Sequence, residues 1–85
     1  MSNIAQRLEQ KFGVGSRPDL RRALYRRLET ICNEADFSTA EKAYHIIASV
    51  AADAVGKAKP GNYFASVVSA RLREKGILSV PEAVF

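Results

Sequence analysis

Tryptophan is absent from this chain of 85 residues, and cysteine and histidine occur once each, as Cys32 and His45. A lone cysteine excludes an intramolecular disulfide, and a reducing, cytoplasmic setting is the expectation that goes with it. One His and one Cys are also too few for a zinc site, which takes about four ligands. No HExxH, CxxC, glycine-rich phosphate loop or nucleophile elbow occurs, so the sequence reads as that of a protein without enzymatic activity, metal or cofactor. Long apolar runs are missing as well. The richest stretch, residues 43–55, is broken by His45, Ser49 and Asp53 and falls short of the ~18 apolar residues of a membrane span. The opening MSNIAQRLEQ has no secretory apolar run. The expectation is a soluble protein with no membrane role.

Strand-like alternation is scarce while helical spacing recurs, so the fold class is all-α: one compact four-helix domain over residues 1–85 with a short C-terminal tail, 79–85. A domain of this size buries only roughly 60–65% of its unfolded surface. Its core is modest, which leaves room for a partner or a second copy.

Ile4, Leu8 and Phe12 define a first helix over about 3–12, ended by Gly13-Val14-Gly15. Ser16 is the candidate cap of a second, with Pro18 in its first turn, Leu20, Leu24, Leu28 and Ile31 on one face and Arg22 and Arg26 opposite, to about Ala35. Ser38-Thr39-Ala40-Glu41 has the form of a capping box. It opens a third helix to about Lys57, with an apolar arc of Ala40, Tyr44, Ile47, Ala48, Ala51, Ala54 and Val55. After the Lys59-Pro60-Gly61-Asn62 turn, a fourth helix runs from about Asn62 to Lys75. Gly76 is its C-terminal cap, Ile77 or Leu78 packs back on the last turn, and Pro81 prevents continuation.

The net charge is +4, and it is unevenly spread. Residues 17–27 and 57–75 each carry about +4 and residues 28–56 about −4. Such blocks suit phosphate binding, internal ion pairs or homo-oligomer contacts. Arg17, Arg21, Arg22, Arg26 and Arg27 could neutralise phosphates, which would make affinity steeply salt dependent, or could pair with the acidic middle segment. Arg27 points toward the apolar arc, where it would pair with an acid or snorkel. Tyr63 and Phe64 offer stacking surfaces for bases, but their stripe with Val67, Val68 and Leu72 reads first as core. Phe64 is placed in the core and Tyr63 is open to either role. Cys32 reads as a small buried thiol, His45 as an edge residue, and Asp36 and Glu41 as helix-boundary acids.

The run 37–83 resembles the C-terminal domain of DnaD-type replication initiation proteins. A capped helix opening FSTAEKA is followed by a turn and a helix in which Tyr63, Val67 and Arg71 stand at the family's Y-x-x-x-I-x-x-x-W positions, before a Gly-Ile exit. Arg71 replaces the tryptophan, exchanging a ring contact for a phosphate-binding or base-stacking cation. The Pro60-Gly61-x-Tyr63 turn is similar to the C-terminal segment of plasmid RepC initiators. The resemblance implies single-stranded DNA binding, oligomerisation and support of replicative helicase loading.

The leading expectation is a small helical, replication-associated DNA-binding accessory protein of a plasmid, phage or bacterial system, with Arg21, Arg22, Arg26, Lys59, Tyr63, Arg71, Arg73 and Lys75 as the nucleic-acid-binding residues. Its partners would be nucleic acid, single-stranded DNA foremost, together with a replicative helicase or other replication proteins, and a second copy of itself. The alternative is a helical interaction subunit or adaptor of a nucleoprotein complex, or a phage-encoded inhibitor, without DNA binding of its own. There the tail residues Val80, Val84 and Phe85 would insert into a partner groove.

Overall fold

Apolar side chains at i, i+4 and i+7 give each helix one face to bury, and four such faces close on one another here. The computed structural model of the chain describes residues 3–77, which form α1 (Ile4–Phe12), α2 (Pro18–Glu34), α3 (Phe37–Ala54) and α4 (Pro60–Glu74). The protein is an all-α four-helix domain, with no strand among the described residues. None of these helices is long and apolar enough to cross a membrane.

In α1, Ile4 and Leu8 are buried and Phe12 packs against the core. Its N-terminus is tied by Glu29 of α2, whose Oε1 accepts from the Ala5 N–H at 3.1 Å. Ser16 is not the cap of α2: that position is taken by Arg17, with no side-chain bond, and Pro18 begins the helix. Proline at the first helical position fixes the turn without a hydroxyl, since its missing N–H needs no acceptor. Leu24, Leu28 and Ile31 are buried as their spacing predicts, joined by Tyr25. Arg27 is exposed, not turned to the core, where its guanidinium keeps its hydration.

The start of α3 also differs from its capping-box reading. Asp36, not Ser38, is the cap, and its Oδ2 accepts from the Thr39 N–H at 3.1 Å. Aspartate one residue before the helix reaches the third amide as well as serine does, which leaves Ser38 inside the first turn. The helix ends at Ala54 rather than Lys57, whose N–H bonds the Ala54 carbonyl in a turn. Hydrogen bonding from Thr39 holds the exposed Asp36 carboxyl below its usual value. The cap is therefore fully present above the ordinary aspartate range and is lost as pH falls through the lowered folded value. Thermal melts should show Asp36→Ala lowering the melting temperature at neutral pH and flattening its acid-side decline, while Asp36→Asn keeps the neutral-pH stability. An acid-side decline identical in all three proteins would contradict this.

The buried face of α3 is Ala43, Ile47, Val50 and Ala54. Of the expected arc, Ile47 and Ala54 are inside, but Tyr44 and Val55 are exposed. Alanines on several faces of α3 made the arc ambiguous, and the rotation was decided by burial of Ile47 and Val50 in the common core.

Phe64, Ala65, Val68, Ser69 and Leu72 are the buried side of α4, which starts at Pro60 and ends at Glu74, one to two residues earlier than expected. Gly76 closes it at φ +72°. Its N–H bonds the Arg73 carbonyl at 3.0 Å and the Ile77 N–H bonds the Leu72 carbonyl at 2.9 Å, the paired bonds of a Schellman motif. Ile77 packs on the core as expected. Leu78 and the tail residues Val80, Pro81, Val84 and Phe85 lie outside the described residues.

Close backbone approaches run mainly between chain neighbours, α1 with α2, α2 with α3 and α3 with α4. The bundle is closed by rings: Phe12 of α1 stacks on Phe64 of α4 with centroids 4.7 Å apart, and Tyr25 of α2 tilts onto Phe64 at 6.4 Å. The Tyr25 hydroxyl donates to the Gly13 carbonyl at 2.8 Å, which satisfies the one polar atom of that ring and holds the loop after α1. Burial pushes its phenol up, with nearby Arg21 opposing.

Candidate nucleic-acid interface

Two of the four helices begin the same way, with a cation followed by proline. Arg17-Pro18 opens α2 and Lys59-Pro60 opens α4. A residue before proline is driven out of the helical region, and Arg17 (φ −127°, ψ 73°) and Lys59 (φ −124°, ψ 79°) adopt nearly the same backbone conformation. Neither helix start has a side-chain cap. Both keep first-turn amides available at the positive end of the helix dipole, an arrangement suited to anions.

The tertiary structure brings these two starts together. Arg21, one turn into α2, donates from Nη2 to Asn62 Oδ1 of α4 at 3.0 Å. Beside this pair lies a cleft of about 360 Å³ lined by Ser16, Arg17, Leu20 and Arg21 on one side and Asn62, Ala65 and Ser66 on the other. The second guanidinium nitrogen of Arg21, Nη1, is buried and has no partner among the described residues. Asn62, Ser66, Ser69 and Arg73 follow one another at 4-3-4 spacing along one side of α4, and Ser69 Oγ and Arg73 Nη1 are likewise buried without a partner. Asp19, in the first turn of α2, is the acid nearest this end in sequence and offsets part of the positive field.

The sequence-predicted residues divide between this cleft and other places. Arg21 belongs to the cleft but is half-buried and committed to Asn62. Arg22 is exposed and forks onto Glu9 of α1, Nε to Oε1 at 3.3 Å and Nη2 to Oε2 at 3.4 Å. Arg26, one turn further, is exposed with no partner among the described residues. Lys59 sits at the cap of α4, with its carbonyl accepting from the Tyr63 N–H at 3.0 Å. Tyr63 is half-buried, and its hydroxyl donates to Asp53 Oδ2 at 2.5 Å. That bond to Asp53, more than desolvation, raises the phenol, with Arg71 opposing. One side of the ring is taken by Lys57, whose Nζ stands 5.0 Å from its centroid. A base could not stack there without displacing the lysine.

At the other end of α4, Arg71 and Lys75 are exposed and Arg73 is half-buried. Residues two positions apart on a helix differ by about 200° of rotation, so Arg71 and Arg73 flank the buried stripe on opposite sides. Arg73 continues the strip of Asn62 and Ser66, whereas Arg71 lies on the side of Tyr63. Lys75 lines a second cavity of about 350 Å³ with Lys42, His45 and Ile46 of α3. The expected cations therefore do not form one surface: the cleft, the outer face of α2 and the α3 side of α4 are three places. Arg17, Asn62 and Ser66 are the site residues that the sequence-based list omits. The repeated cation-Pro pair was the signal that could have found them.

Phe64 is fully buried and carries no ligand role. Cys32 is half-buried and free, and burial pushes its thiol up, away from nucleophilic chemistry. No group of three or more potential metal ligands occurs among the described residues. No family model, no curated protein and no solved structure matches the chain.

Proposed function

We propose that the chain is a small nucleic-acid-binding accessory protein that contacts backbone phosphates through the cleft where α2 and α4 begin. The observation carrying this reading is the convergence there of two uncapped helix starts with the cations Arg17 and Arg21. Phosphate oxygens accept from exposed cations and from free helix-start amides alike, and a sequence-independent backbone contact needs nothing more. Exposed Arg26, on the outer face of α2 and apart from the cleft, offers a second phosphate contact. The likeness of residues 37–83 to DnaD-type domains supports a place in DNA replication, with single-stranded DNA as the favoured substrate and a replicative helicase or other replication protein as a further partner.

The test is a salt series of binding to single- and double-stranded oligonucleotides. Affinity should fall steeply with salt, and Arg17→Glu and Arg26→Glu should each weaken binding and reduce the salt slope by about 1. Both residues are exposed, so helicity should be kept. Absence of binding at low salt, or affinity unchanged in the double variant, would remove the reading.

One observation favours the alternative, a helical interaction subunit or adaptor without DNA binding. Phe37, Tyr44 and Val55 are the large apolar side chains exposed among the described residues, and all three belong to α3 or its end.

A further inference from the structure

The outer side of α3 is ordered, with one acid, Glu41, among apolar residues and with Ala51 partly buried at its edge. Phe37, Glu41, Tyr44, Ala48, Ala51 and Val55 succeed one another at spacings of 4, 3, 4, 3 and 4 residues, the repeat of a coiled-coil seam. This stripe lies about 110° around the helix from the buried Ala43, Ile47, Val50 and Ala54. Phe37 is 81% exposed, Tyr44 54% and Val55 59%, and no element of the described chain covers them.

We propose that α3 is a dimerisation helix, packing antiparallel against α3 of a second copy of this chain. The seam is its own complement when reversed. With a two-fold axis midway between Tyr44 and Ala48, Phe37 meets the partner's Val55, Glu41 meets the partner's Ala51, and Tyr44 meets the partner's Ala48. All six positions pair among themselves, and at each contact a longer side chain meets a shorter one, as close packing of two helices requires. Charge selects the same direction. Parallel packing would set Glu41 on Glu41 and Asp36 on Asp36 within one interface. Antiparallel packing places Glu41 beside alanine and brings Asp36, at the start of the helix, toward Lys57 just beyond its end. The dipoles of the two helices also oppose.

One helix pair of this length buries on the order of 1,000 Å² in total, the low end for a specific interface, so a reversible dimer dissociating in the micromolar range fits. The inference does not rest on nucleic-acid binding, because the association is measured without nucleic acid.

The test is sedimentation equilibrium of the full chain over a micromolar to millimolar range. The apparent mass should rise from 9.3 kDa toward twice that value. Ala48→Glu places a charge against Tyr44 at the centre of the seam and should weaken association by more than about tenfold. Ser49→Glu, on an exposed position off the seam, should leave it unchanged, and circular dichroism of both variants should keep the parent helicity. Orientation is read by oxidation on a Cys32→Ser background: Phe37→Cys should crosslink to Val55→Cys in a mixture far faster than to itself. A constant monomer mass, an unaffected Ala48→Glu dimer, or preferential Phe37→Cys self-crosslinking would each overturn the proposal.

Discussion

Replacing Phe64 by alanine is expected to leave the chain unfolded at room temperature. Phe64 is fully buried at the junction of three helices, stacked on Phe12 and tilted against Tyr25. Truncating such a ring in a core costs about 3–5 kcal/mol, and domains only slightly shorter than this one have cores worth rarely more than about 3–5 kcal/mol. The two quantities are of the same size, so little reserve is left. The loss is also topological: the ring contact with Phe12 joins α1 to α4, whose backbones meet closely only where Gly61 passes the Phe12 carbonyl. Phe64→Leu fills most of the volume without the stack and should fold with a lowered melting temperature. Far-UV circular dichroism and urea melts measure both. A cooperative melt of Phe64→Ala within a few degrees of the parent would show that the core does not centre on this ring.

Gly61→Ala is expected to destabilise the protein even though alanine ordinarily favours a helix over glycine by about 1 kcal/mol. A β-carbon at position 61 would stand 2.9 Å from the Phe12 carbonyl oxygen and 2.8 Å from Arg21 Nη1. The guanidinium can swing aside, but the carbonyl belongs to the last turn of α1 and moves only with the helix. Overpacking of this kind costs about 1–3 kcal/mol, which outweighs the propensity gain. The same clash would displace Arg21 from Asn62 and open the cleft. Gly56→Ala is the matched comparison. Nothing lies within 4 Å of a β-carbon there, so its stability should stay within about 0.5 kcal/mol of the parent or rise slightly. Denaturant melts of the two variants would refute the steric account if Gly61→Ala were the more stable.

Much of the fold was legible because helix signals are local. The 4-residue spacing of Ile4, Leu8 and Phe12, the leucines of α2, the Phe64-Val68-Leu72 stripe and the Gly76 stop each depend on neighbours within one or two turns. The face of α3 was less legible. Alanine is compatible with core and surface alike, so the stripe of Tyr44, Ala48, Ala51 and Val55 looked as apolar as the buried one. The site was the least legible, since Arg21 and Asn62 are 41 residues apart and nothing local links them. Arg22, expected as a free phosphate ligand, was already matched to Glu9 across the α1–α2 hairpin.

By itself the sequence determined the helices and their boundaries to within a few residues, because these follow from short-range spacing, turn chemistry and composition. The tertiary structure alone decided which face of α3 stays outside, which cations are paired, and that the two Pro-initiated helices start side by side. Those outcomes depend on contacts between residues distant in the chain, where the burial of Phe64 and Ile47 fixes the rotation of each helix and the polar surface follows.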